Sequence, residues 1–139
     1  MTRTGSRILL PLRLLLAAAM ASTLGLALYM ARPWGDSFAH SASGWLILGG
    51  FMLWAVSPLA MLAWIAGSFG RARIAMTVLA VGAVCIALAG LYAYVDAAVL
   101  RPDAQGGLAF VFVPLAQWAA VLCLGGACLA ARAWELRRR

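Results

Sequence analysis

Few side chains in this sequence have the type and setting to do chemistry. Asp96 follows a long uncharged run that starts at Ile74, and a carboxylate at such a place is a candidate for proton or cation handling. It lies only four residues from Leu100, so headgroups and water are within its reach. Tyr92 lies one helical turn before Asp96 and shares its face. Gln117 is the clearest polar residue inside another apolar run, at a depth comparable to Tyr92. A hydrogen bond between Tyr92 and Gln117 is expected, worth about 1 kcal/mol and able to fix the register of two helices. Pro58 and Pro114 each interrupt an apolar run and free a carbonyl four residues earlier, at Trp54 and Phe110. Paired helix breaks of this kind point to a transport site. Asp96, Tyr92, Gln117, Pro58 and Pro114 are therefore the candidate polar or transport positions.

Other constellations are weaker. His40 is the sole histidine; with Asp36, Asp96 and Asp103 it can be drawn as a cation site, but residues on separate loops are by default a solvated surface. Cys85, Cys123 and Cys128 show no CxxC or zinc-like spacing. Cys123 and Cys128 lie about 140° apart around a helix, whereas Cys85 and Cys123 fall at similar depth. Four-span haem proteins need intramembrane histidines, four-span thiol oxidoreductases need paired cysteines, and small multidrug transporters need an acid in the first span. None of these is in the sequence. With no nucleophile–base pair in view, the expectation is no catalytic residue, cofactor or metal, and no enzyme activity.

The elements that must carry these residues are set by hydropathy. Four stretches lack formal charge: Leu14–Ala31, Ser41–Gly70, Ile74–Val95 and Ala104–Ala131. A run of about 18 or more apolar residues crosses the roughly 30 Å hydrocarbon core as a helix. The spans expected are about 12–31, 44–69, 74–100 and 107–133. The fold class is an all-α membrane protein, with the four spans in one antiparallel up-down bundle. Arg101–Pro102–Asp103 reads as a stop and restart, with Asp103 capping the last helix. Ala19–Met20–Ala21 resembles a signal-peptidase site, but Pro11 and Arg13 interrupt the preceding region and the apolar run continues to Ala31. A retained span is the better reading.

Charge gives orientation. All 11 basic residues are arginine, consistent with a bacterial source of high GC content. Arg3, Arg7, Arg13, Arg71, Arg73, Arg132, Arg137, Arg138 and Arg139 lie on one side of such a bundle, with Arg32 and Arg101 on the other. The positive-inside rule puts both termini in the cytoplasm of a multi-pass protein of the bacterial inner membrane. Tyr29, Trp34, Trp45, Tyr92 and Tyr94 mark the outer interface, and Phe69 and Trp134 the inner one. A net charge of +7 suggests nucleic acid only in a soluble chain; with 65% hydrophobic and 11% charged residues, the arginines serve headgroups instead.

Small residues recur at helical spacing: Ala17, Ala21 and Gly25; Ala60, Ala63 and Gly67; Ala80, Ala83, Ala87 and Gly90; Ala116, Ala120, Cys123 and Ala127. Membrane helices associate where small residues let backbones approach, so each set is expected to be its helix's seam. The seams fit a self-contained bundle, a homo-oligomer or a place in a larger membrane complex. Gly49–Gly50 before Pro58–Leu59–Ala60 parallels Gly106–Gly107 before Pro114–Leu115–Ala116, a likeness that chance also produces in so restricted an alphabet. The function expected is that of a structural, accessory or interaction subunit acting through helix contacts. The alternative is a small oligomeric transporter or channel using Asp96 and the Pro58 and Pro114 breaks.

Overall fold

The computed structural model describes residues 3–33, 42–69, 73–100 and 106–138. Four long helices account for nearly all of them: α1 Arg3–Ala31, α2 Ala42–Phe69, α3 Arg73–Val95 and α4 Ala109–Arg137. A π-helical turn, Asp96–Leu100, extends α3, and a 3-10 turn, Gly106–Leu108, leads into α4. All four helices contain stretches long and apolar enough to cross a membrane, of 24 to 29 residues. At about 1.5 Å per residue they exceed a roughly 30 Å hydrocarbon core, which leaves length for tilt. The expected spans 12–31 and 44–69 fall inside α1 and α2, whereas 74–100 and 107–133 run over the π-helical turn after α3 and the 3-10 turn before α4. Asp36, His40, Arg101, Pro102 and Asp103 lie outside the described residues; α4 itself is preceded by Leu108, which makes no side-chain cap bond.

Helix ends follow local chemistry. At the close of α1, the Arg32 N–H donates to the Leu28 carbonyl at 3.1 Å, and Arg32 takes a left-handed φ of 43° before Pro33 stops the helix. At the start of α3, the Ile74 N–H donates to Glu135 Oε1 of α4 at 3.2 Å. A helix start leaves its first N–H groups without backbone acceptors, and an acid from the next helix supplies one. Nearby, the Arg13 guanidinium lies 3.2 Å from where a Cβ on Gly67 would stand, and the Arg138 guanidinium sits 3.6 Å from the Trp134 ring centroid. The buried Thr23 hydroxyl donates to the Ala19 carbonyl at 2.9 Å, which satisfies it within α1.

α2 and α3 each meet the three other helices, and α3, packed most closely on α4 and α1, is the most buried, with 33% of its most apolar stretch buried against 28% for α2 and 22% for α1 and α4. The main core joins Leu12 and Leu16 of α1, Leu59 and Leu62 of α2, Met76 and Leu79 of α3, and Val121 and Cys128 of α4. A smaller cluster at the other end holds Ala27, Ala55, Tyr94 and Phe110. Large apolar side chains elsewhere point outward, among them Leu46, Leu53, Trp64, Leu122 and Leu129. Contiguous exposed apolar surface on this scale suits lipid and not water.

The small-residue seams require correction. Only in α3 do they face inward: Ala83, Ala87 and Gly90 are buried and Ala80 is half-buried. In α1, Ala17, Ala21 and Gly25 are exposed, and the buried stripe is Leu12, Leu16, Ala19, Thr23 and Ala27. In α2, Ala60 and Gly67 are exposed and Ala63 is half-buried, while Leu59, Leu62 and Ala66 pack inside. In α4, Ala116, Cys123 and Ala127 are exposed, and Phe110, Pro114, Gln117, Val121 and Cys128 are buried. The reason is volume. The buried side of α3 carries Ala75, Ala83, Ala87 and Gly90 between the larger Met76, Leu79 and Tyr94, and its neighbours fill against the small residues with leucine and other larger groups, keeping interior density high.

Candidate functional site

Pro58 and Pro114 are both buried inside helices that remain continuous. The Trp54 carbonyl, released from the α2 ladder by Pro58, does not go unpaired. The Ser57 hydroxyl donates to it at 2.8 Å, and the Trp118 indole N–H donates to that hydroxyl from α4 at 3.0 Å. Proline breaks in membrane helices persist where a hydroxyl re-satisfies the freed backbone group. Here the repair also ties α2 to α4. The glycine pairs differ locally: Gly49 and Gly50 are inside α2, and Gly106 and Gly107 form the 3-10 turn before α4.

Gln117 is 5% exposed and faces α3. Its amide Nε2 donates to the Ile86 carbonyl at 3.4 Å, so the bond across the two helices does form a register contact, but with a backbone partner. The expected bond to Tyr92 is absent. Tyr92 is 64% exposed, because it stands about 200° around α3 from Gly90, the residue against which Gln117 packs. Gly90 is what admits the amide: a Cβ there would collide with Gln117 Nε2 and lie 2.9 Å from Cδ. The tyrosine that turns inward is Tyr94, which stacks on Phe110 with ring centroids 4.8 Å apart. Its hydroxyl, like Gln117 Oε1, is buried with no hydrogen-bond partner.

Between α3 and α4 runs a groove of about 400 Å³. Gly90 and Gln117 form its buried floor, Ile86, Ala93, Val113 and Ala120 its half-buried walls, and Cys85, Ala89 and Ala116 its exposed rim. The amide of Gln117 is the only polar side-chain group in that lining apart from the Cys85 thiol. Volume and lining match the general form of small-molecule sites, concave and apolar with a few placed polar groups. The sequence contained the signal in part: Gln117 stood out, but nothing marked Gly90 as its counterpart.

The remaining candidates are dispersed. Asp96 begins the π-helical turn and is half-buried. Cys85 and Cys123 are free, exposed thiols; Cys128 is buried, and its Sγ–H donates to the Ala75 carbonyl at 3.6 Å. Among the described residues, no group of three His, Cys, Asp or Glu side chains is placed to hold a metal ion. Sequence reasoning missed Ser57, Trp118 and Glu135; a hydroxyl directly before a mid-helix proline was the one available clue.

No protein-family model, curated protein or solved structure matches this chain.

Proposed function

We propose that this chain is an interaction subunit of a bacterial inner membrane, with both termini cytoplasmic, which docks on a membrane partner through helix contacts and does no catalysis of its own. The observation that supports this reading is the outward placement of small residues that the bundle does not use. Ala17, Ala21 and Gly25 form a ladder at four-residue spacing on the exposed face of α1, and Cys123 and Ala127 continue one on α4. In lipid, helix association depends on close backbone approach at such ladders. A Cβ added at Gly25 would have nothing within 4 Å, so the glycine is not required by its own bundle. The positive-inside distribution of arginine supports the orientation. The transport alternative loses one of its supports, since the carbonyl freed at Pro58 is already taken by Ser57.

The test is a mild-detergent purification of the tagged full chain with Gly25→Leu and Ala127→Leu as variants. The expected result is a stable co-purifying membrane partner, or a defined homo-oligomer, that is lost in at least one variant while the protein still accumulates. Surface changes of this kind leave stability within about 0.5 kcal/mol. A chain that purifies alone, or an assembly indifferent to both variants, contradicts the reading.

A further inference from the structure

We propose that the groove between α3 and α4 binds a single-chain apolar lipid ending in a neutral hydroxyl, which donates its hydrogen bond to Gln117 Oε1. The reasoning begins with the amide. Gln117 is 5% exposed, and its Oε1 is buried without a partner. A buried acceptor left unpaired is costly in an apolar setting, and native structures rarely keep one without a use for it. Because Nε2 is engaged by the Ile86 carbonyl and the amide is seated on Gly90, the group left over is an acceptor, and what it lacks is a donor.

The surroundings define the rest of the ligand. No charged side chain lines the groove, so an ionised headgroup would enter without a counter-charge. Alanines at 89, 93, 116 and 120, with Cys85, keep the furrow shallow-walled, and its rim at Cys85, Ala89 and Ala116 is exposed on the lipid side. Entry is therefore from the bilayer. Depth argues against an ordinary phospholipid. Gln117 lies eight residues into α4, about 12 Å from the helix start, and α4 is long enough that its end already reaches the headgroup layer. A diacyl lipid keeps its polar head at the interface, whereas a long-chain alcohol can lower a lone hydroxyl to that level. The groove's volume, about 400 Å³, lies within the range of small-molecule sites.

The test uses the full chain in detergent with a photoreactive sixteen-carbon alcohol and mass-spectrometric mapping of the label. Label is expected within residues 85–93 and 113–120. Unlabelled hexadecan-1-ol should compete roughly five-fold better than hexadecane, the factor of one net buried hydrogen bond. Palmitate and a diacyl phosphatidylglycerol should compete no better than the alkane. Gln117→Leu should abolish the preference for alcohol over alkane, a readout that loss of the Ile86 contact alone would not move. Ala89→Phe, at an exposed rim position, should remove the label altogether, and it decides the matter alone if Gln117→Leu does not accumulate. Equal competition by alkane, label elsewhere in the chain, or label unaffected by both substitutions overturns the proposal. So do Cys85-linked dimers that exclude the probe, since a second copy would then fill the groove.

Discussion

Gly90 and Gln117 form a pair in which each residue explains the other. The amide can reach the Ile86 carbonyl only because position 90 carries no side chain. Gly90→Ala should therefore destabilise the bundle by about 1–3 kcal/mol, the usual cost of forcing extra volume into a packed contact. Thermal unfolding in detergent reads this directly, and Gly90→Ala combined with Gln117→Ala should recover much of the loss. Ser57 is the second residue on which several groups depend. Ser57→Ala leaves the Trp54 carbonyl and the Trp118 indole N–H unpaired together, and a loss of about 1–2 kcal/mol is expected in the same measurement. The candidate polar positions were partly legible in the sequence. Gln117 was visible as an amide in an apolar run. Its partner was not, because it is a backbone carbonyl, at Ile86, reached over Gly90, and every helix carries such carbonyls.

At the scale of elements, hydropathy located the helices because bilayer thickness fixes a minimum length and arginine, proline and aspartate punctuate the runs. It did not locate their faces. A water-soluble helix declares its buried side by contrast with a polar one, but in lipid both sides are apolar and that contrast disappears. Small residues were the only remaining guide, and they held for α3 alone. That helix presents Ala83, Ala87 and Gly90 inward, whereas Ala17, Ala21 and Gly25 of α1 face outward. The end of α1 gives an element-scale prediction. Arg32 occupies a left-handed conformation at φ 43°, which costs an ordinary L-residue about 1 kcal/mol that glycine does not incur. Arg32→Gly should raise stability by about that amount. Arg32→Ala, which removes the charge but keeps the Cβ, should not.

At the scale of the whole molecule, four long apolar helices enclose a modest core and turn large side chains outward over most of their length. That surface is stable only in a medium as apolar as itself. The proposed orientation, both termini cytoplasmic, rests on the distribution of 11 arginines and is open to direct test. The most direct measurement is cysteine accessibility in intact bacterial cells, using a chain with Cys85, Cys123 and Cys128 replaced by alanine. Single cysteines are placed by Thr4→Cys, Ser37→Cys and Arg138→Cys, and a membrane-impermeant maleimide is applied. The account predicts that position 37 is labelled in intact cells, and that positions 4 and 138 are labelled only after the membrane is opened. Labelling of position 4 or 138 from outside, or recovery of the protein in the soluble fraction, would contradict it.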